Sequence, residues 1–263
     1  MLLSGKTAII SGAASRRGIG LATARRFAAE GARVAILDID AAAAADAAAT
    51  LGAAHLGLGC NVADKSSCND AVAQVIAKFG VIDILINNAG IFEPKDFFEI
   101  PDEDWSRFFE VNVMSGVRLS RAYLKGMLKR NWGRIVFISS ESGLNIPVEM
   151  IHYGMSKTAQ LSVARGLAQL TRGTGVTVNS VLPGPTMSEG VETFVKDLAK
   201  QNGQSVDEAA ANFVKQHRPS SLIQRFASVD EIANMVVYVA SKEASATNGA
   251  ALRAEGGIVN TIA

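Results

Sequence analysis

The sequence predicts an α/β domain built on a doubly wound parallel sheet of about seven strands. Two observations carry this. Short apolar runs alternate with stretches of helical periodicity from Thr7 to about Pro183, and neighbouring parallel strands need a long crossover between them, normally a helix. The length of 263 residues also suits one large α/β unit. We therefore expect a single domain over 1–263, because composition shows no break before about Pro183.

Taken in order, Thr7 to Ile10, Arg33 to Leu37, Leu56 to Cys60, Ile82 to Ile86 and Arg134 to Ile138 read as buried strands. Helical stretches separate them: Gly20 to Glu30, Ala41 to Leu51, Ser66 to Phe79 and Asp104 to Lys129. The alanine-rich run from Asp40 to Thr50 resembles low complexity, but alanine is the best helix former and the run reads as a helix. Val176 to Val181 supplies a sixth strand and Ala250 to Arg253 a seventh. From Thr186 to Arg225 the pattern changes. Val191, Phe194, Val195 and Leu198 recur at helical spacing, and Ser205 with Glu208 marks the start of a second short helix. The same capping signal at Ser228 and Glu231 begins the helix running to about Ala240. The segment 186–225 is thus expected to be a two-helix insertion rather than a linker.

Composition narrows the function classes. Hydrophobic residues make up 48% of the chain and the formal net charge is +1, with no block of Lys or Arg. Nucleic acid and anionic membrane surfaces gain no support as partners. No run of about eighteen apolar residues exists to span a bilayer, and Met1 to Lys6 lacks the pattern of a secretory leader. Cys60 and Cys68 stand alone, and His55, His152 and His217 are scattered, so neither a metal site nor a disulfide framework is expected. The expectation is a soluble cytoplasmic protein.

The first strand ends in Ser11-Gly12, and Gly18-Ile19-Gly20 opens the helix that follows. Glycines between strand and helix allow a tight turn and close approach of backbone to a pyrophosphate, which sits on the amides of the helix N-terminus. The second strand ends at Asp38, eighteen residues after Gly20. A carboxylate there accepts hydrogen bonds from adenosine ribose hydroxyls and repels a 2′-phosphate, which favours NAD over NADP. Arg16 and Arg17 in the loop pull the other way, since a guanidinium pairs with a 2′-phosphate or with the pyrophosphate itself. NAD is the expected cofactor and NADP the alternative.

Tyr153 and Lys157 lie four residues apart on a predicted helix, hence on one face. A cation beside a phenol favours the phenolate and moves tyrosine towards the range where proton transfer is efficient. Ser140 stands thirteen residues before Tyr153.

These residues, in this order, resemble the short-chain dehydrogenase/reductase family. The resemblance runs from about Leu3 to Val259 and rests on the glycine-rich turn, Asn87-Asn88-Ala89-Gly90, Asn112, Ser140, Tyr153 with Lys157, and Pro183-Gly184. It implies a Rossmann fold, a nicotinamide cofactor, and Tyr153 as catalytic acid/base. It further implies that Lys157 lowers the tyrosine pKa and holds the nicotinamide ribose, that Ser140 orients the substrate oxygen, and that Asn112 bends its helix and holds a water in the proton relay. Asn88, Ala89 and Gly90 would lie beside the adenosine, Asn61 with Val62 against the adenine, and Pro183, Gly184 and Thr186 beside the nicotinamide. The insertion resembles a mobile substrate lid, and a homotetramer is the usual assembly. Its interfaces would be formed by the long helices Asp104 to Lys129 and Tyr153 to Thr171, and by the segment Gly256 to Val259.

The chain departs from the family pattern in three places. Five residues rather than three separate Gly12 from Gly18, Ser11 replaces a threonine, and Asn61 stands where aspartate is frequent. The expected activity is NAD(H)-dependent interconversion of a secondary alcohol and a ketone. The alternatives are an NADPH-dependent 3-oxoacyl-(acyl-carrier-protein or CoA) reductase and, in a different class, a nucleotide-binding sensor without turnover. The substrate pocket is expected among Glu141, Ser142, Ile146 to Ile151 and the insertion, whose apolar faces suggest a substrate with an apolar portion. His152 is expected to be a helix residue rather than a second catalyst.

Overall fold

The computed structural model describes residues 1–262, and among them seven strands form one sheet. These are β1 Thr7–Ser11, β2 Arg33–Asp38, β3 Leu56–Gly59, β4 Ile84–Asn87, β5 Gly133–Ile138, β6 Val176–Pro183 and β7 Ala251–Ala254. All pair in parallel, in the order β3-β2-β1-β4-β5-β6-β7. The helices are α1 Ile19–Ala29, α2 Ala41–Ala49, α3 Lys65–Phe79, α4 Asp102–Phe108, α5 Ser115–Arg130, α6 Ile151–Leu170, α7 Glu189–Asn202, α8 Val206–His217 and α9 Val229–Ala240. This is a single α/β domain of Rossmann type. The chain builds outward from β1 to β3, then returns to the centre and builds the other way. The reversal between β1 and β4 opens a crevice beyond the carboxyl ends of those strands, the place where such sheets bind ligands.

Alternation along each strand divides the core into two layers. Ile10, Ile36, Ile86 and Val136 face the side covered by α1, α2 and α9, where Phe27 and Val236 are buried. Ile9, Leu37, Leu85 and Phe137 face α3, α5 and α6, against Val75, Leu119 and Met127. Both faces are covered, so the central strands are mostly apolar rather than alternating strictly with polar residues. Each of these side chains contributes roughly 1.5–3 kcal/mol on burial.

Two local features depend on residue size. In α2, Ala44, Ala47 and Ala48 pack flat on β3, where a Cβ on Gly57 would stand 2.0 Å from the Ala44 carbonyl oxygen. The alanine run is therefore a helix, capped by the Asp40 carboxylate accepting from the Ala43 amide at 3.0 Å. The helix expected over Asp104 to Lys129 is broken into α4, a π-helical turn at Phe109–Met114, and α5. Periodicity alone does not mark the break.

Both capping boxes form as expected, Ser205 with Glu208 in the insertion and Ser228 with Glu231 at the start of α9. The two helices α7 and α8 close on their own small core of Val195, Ala199, Ala209, Val214 and Phe226. Among the described residues, no helix is long and apolar enough to cross a membrane.

Candidate active site

The ends of β1 and β4 are stitched together by short polar side chains. The Ser11 hydroxyl accepts from the amides of Asn88 and Ala89, both at 3.1 Å. The Asn88 side-chain amide donates to the carbonyls of Ser11 at 2.9 Å and Gly12 at 2.7 Å. Ser11 thus supplies the hydroxyl that the family's threonine would. Gly12 has φ +63°, and a Cβ there would meet the Ala89 backbone at 2.6 Å. Asn88 and Gly12 accordingly shape the floor of the crevice.

The phosphate loop ends at α1, whose N-cap Gly18 offers no side chain to the free amides of the first turn. Backbone donors at the positive end of an eleven-residue helix suit a pyrophosphate. Asp38 ends β2 beside this loop. One of its oxygens accepts from the Ala14 amide at 2.9 Å, and the other lies 3.4 Å from the Asp40 amide. Asn61 holds the turn after β3, its side-chain oxygen accepting from the Ala63 amide at 3.1 Å, and Val62 is buried beside it.

Arg17 reaches across to the insertion. Its guanidinium pairs with Glu192 of α7 at 3.0 Å. The Ser15 hydroxyl donates to Glu189 at 2.7 Å, and the Glu189 amide donates to the Arg17 carbonyl at 3.2 Å. Ser15 and Arg17 thus fasten the loop to the insertion.

On the other side of the crevice, α6 brings Tyr153 and Lys157 against Ser140 at the end of β5. The Ser140 hydroxyl faces the Tyr153 phenol closely enough to favour its ionised form and accepts from the Ser142 amide at 3.1 Å. Enclosure in the cleft pushes the Tyr153 phenol up to about 12, against the downward pull of Ser140. Burial likewise brings the Lys157 ammonium down to about 7. Its Nζ donates to the Ile138 carbonyl at 2.9 Å and to the Gln160 side-chain oxygen at 3.4 Å, and sits 5.6 Å from the centre of the Tyr153 ring. Dehydration is the largest influence on both groups, raising the phenol and lowering the ammonium.

Asn112 lies fully buried in the π turn. Its side chain accepts from the Ile91 amide at 2.8 Å and donates to the Ile91 carbonyl at 3.0 Å and the Ser156 hydroxyl at 2.9 Å. Its backbone carbonyl accepts from the Gln160 side-chain amide. Gln160 therefore bridges Asn112 and Lys157, a link absent from the sequence reading. The available signal was its position three residues after Lys157, on the same helical face. Gly90 closes the group, since a Cβ there would lie 3.3 Å from the Asn112 side-chain oxygen and 3.5 Å from the Lys157 Nζ.

Ser140, Tyr153 and Lys157 line a cavity of about 450 Å³, together with Asn88, Gly90, Pro183, Gly184 and Thr186. Lys157, Pro183, Gly184 and Thr186, expected at the nicotinamide end of a cofactor, thus share one space with Asn88 and Gly90, expected nearer the adenosine. The Thr186 hydroxyl donates back to the Gly184 carbonyl at 2.9 Å.

Comparison with known proteins decides the family. The family described as enoyl-(acyl carrier protein) reductase matches residues 12–259. The chain belongs to the short-chain dehydrogenase/reductase family. It is 46% identical to the Bacillus subtilis oxidoreductase YvaG, over 99% of this chain and 98% of that one. It is 38% identical to the short-chain type dehydrogenase/reductase y4mP of Sinorhizobium fredii, over 98% and 99%. The crystal structure of L-sorbose reductase from Gluconobacter frateurii, complexed with NADPH and L-sorbose, superposes with TM-score 0.93 at 32% identity and covers 100% of both chains. The chain is accordingly an oxidoreductase of this family that uses a nicotinamide cofactor and acts on CH–OH groups.

As a short-chain dehydrogenase/reductase, it carries further pocket residues that the sequence did not mark. Of Ile146 to Ile151 only Glu149 and Met150 line the cavity, whereas Val148 is 82% exposed. Phe92 lines it from the segment after β4, its ring 6.5 Å from that of Tyr153 in an edge-on arrangement. His152 is buried between Trp105 and Phe108, with ring centroids 5.9 and 4.1 Å away, and burial lowers its pKa. It faces away from the cavity, in line with its expected place as a helix residue. Arg218 at the end of α8 reaches the cavity and pairs with Glu141 at 2.8 Å. Burial raises the Glu141 carboxyl above the usual carboxylate range despite that partner. The pairing spans seventy-seven residues and leaves no local signature in the sequence.

Proposed function

We propose that the chain interconverts a secondary alcohol and a ketone with NAD(H), Tyr153 acting as the acid/base. The observation that carries this reading is the meeting of Ser140, Tyr153 and Lys157 at one wall of the cavity, across the crevice from the uncapped N-terminus of α1. When bound, the nicotinamide supplies the chemistry of hydride acceptance and donation, and the protein supplies position and proton transfer. In oxidation, Tyr153 as phenolate takes the hydroxyl proton while the carbon loses hydride; in reduction, the phenol returns that proton to the carbonyl oxygen. Ser140 donates to the same substrate oxygen and steadies charge developing on it. Lys157 holds the nicotinamide ribose hydroxyls, and Gln160, bridging it to the Asn112 carbonyl, keeps its ammonium in position. Gly12, Gly18, Ile19 and Gly20 hold the pyrophosphate. Asn61, Val62, Asn88, Ala89 and Gly90 flank the adenosine, and Pro183, Gly184 and Thr186 the nicotinamide.

NAD is favoured because Asp38 presents a carboxylate beside the loop and Arg17 is already paired with Glu192. An NADPH-dependent 3-oxoacyl reductase would need that guanidinium on a 2′-phosphate. We also infer a homotetramer, with α5 and α6 in one interface. The cofactor and reaction are tested by following nicotinamide absorbance with NAD⁺ or NADP⁺ and a panel of secondary alcohols. Oxidation with NAD⁺ at least about ten-fold better in kcat/KM is expected from a repelled 2′-phosphate. Preference for NADP⁺ would refute the role of Asp38, and oxidation with neither would refute the activity.

A further inference from the structure

The cavity that holds Ser140 and Tyr153 has a wall of phenylalanine. Four of the chain's eleven phenylalanines line it: Phe92, Phe194, Phe213 and Phe226. The last three come from the insertion and the residue that follows it, and they pack on one another. Phe213 meets Phe194 edge-on at 5.5 Å and stacks on Phe226 at 5.7 Å. Phe92 belongs to the catalytic side instead and pairs with none of these three among the described residues. It lies two residues after Gly90, and the Asn112 side chain clamps the intervening Ile91 by its amide and its carbonyl, at 2.8 and 3.0 Å. The ring stands edge-on to that of Tyr153, 6.5 Å between centroids. Its tip faces α7, where a Cβ on Gly190 would lie 3.8 Å from it. Yet Phe92 remains 49% exposed. An apolar ring standing open in a concave site, beside polar reacting groups, marks a wall built for a ligand.

We propose that Phe92 is a specificity-determining residue whose open ring takes an aryl group carried on the reacting carbon. The substrate class is an aryl alkyl carbinol or the corresponding ketone. This rests on the reading of the site as an alcohol–ketone oxidoreductase and names what that site selects. With the substrate oxygen held at Ser140 and Tyr153, a group on the reacting carbon starts beside the ring that neighbours Tyr153. α7 stands at the far edge of that ring, so the group lies between Phe92 and the insertion. Rings with centroids about 4.5–7 Å apart attract beyond the area they bury, so an aryl group gains more there than a saturated one. The hydroxyls of a polyol set against the same wall would give up water and find no partner on a phenyl ring. The charged groups of the cavity are engaged with one another, Arg218 with Glu141 at 2.8 Å and with Glu149 at 3.2 Å.

The test measures oxidation of 1-phenylethanol, 1-cyclohexylethanol and sorbitol, each with NAD⁺ and with NADP⁺, so that cofactor choice does not decide the result. The two carbinols share a skeleton and differ in the π face. The expected order in kcat/KM is phenyl above cyclohexyl, with the polyol slowest. In Phe92→Leu, which keeps apolar bulk, the phenyl-to-cyclohexyl ratio falls about two- to ten-fold, the range for one aromatic pair. The fall comes mainly from a higher KM for 1-phenylethanol, and the intrinsic reactivities of the carbinols cancel in the comparison. Phe92→Tyr keeps the ring and keeps the ratio. NADH fluorescence reports the folded state of each variant, and the wild-type order needs no variant. An unchanged ratio in Phe92→Leu, an equal loss in Phe92→Tyr, or sorbitol oxidised by the wild type as fast as 1-phenylethanol overturns the assignment of Phe92. So does oxidation of other secondary alcohols without that of either carbinol. Oxidation of no alcohol with either cofactor overturns the underlying activity instead.

Discussion

Burial brings Lys157 down to about 7, far from the value near 10.4 of a solvated lysine. The sign of its effect on stability follows. Between these two values the unfolded chain holds a proton that the folded chain has released, so stability rises with pH by about 1.4 kcal/mol per unit. Below pH 7 the full burden of the buried cation is felt. Chemical denaturation of wild type and Lys157→Met at several pH values isolates the effect. The stability difference between them should shift in favour of wild type by about 1.4 kcal/mol for each unit from about pH 8 to about pH 9; a constant difference would show that the lysine titrates normally. The sequence placed Tyr153, Lys157 and Ser140 together, because one helical turn and a strand end are short-range facts. It could not reveal how deeply the pair is buried, nor that Gln160 and Ile138 take up the ammonium. Those depend on packing between α6 and β5.

The alanine-rich α2 and the glycines of β3 make sense only as a pair. Each keeps its side chains small so that helix and strand backbones meet, with space for no Cβ at Gly57. Gly57→Val should destabilise the protein by about 3 kcal/mol or more, as overpacking does, visible as a lower denaturation midpoint; a variant of native stability would mean that α2 moves freely. The strands and capping boxes were legible because they rest on local pattern. The π turn at Phe109–Met114 has no such pattern: the resemblance implied only a bend at Asn112, whose side chain is tied to Ile91, twenty-one residues away. The longer phosphate loop was legible only as a length anomaly. Its partner α7 is remote in sequence, and the Arg17–Glu192 and Ser15–Glu189 contacts emerge only in three dimensions. Glu192→Gln should release Arg17 and tighten NADPH binding about three- to ten-fold in a fluorescence titration, with NADH little changed. No change for NADPH would mean that Arg17 cannot reach a 2′-phosphate.

Across the whole molecule, the doubly wound sheet gathers residues from many separate segments onto the carboxyl ends of its central strands. The loop after β1, the ends of β2 and β4, the turn after β5 and the start of α6 all open on one crevice, which the insertion covers. A sequence motif spread over such distances is informative because the topology, not proximity along the chain, brings it together. The pocket wall was the least legible part, since it includes long-range pairs such as Glu141 with Arg218. The account stands or falls on Tyr153. Turnover and NADH affinity should be measured on the same preparation of Tyr153→Phe, using an alcohol that the wild type oxidises. Turnover should drop by about 10²–10⁴-fold, the range attributed to a positioned acid/base, while NADH binds as in wild type. Turnover within a few-fold of wild type would contradict the assignment of the acid/base and the mechanism built on it.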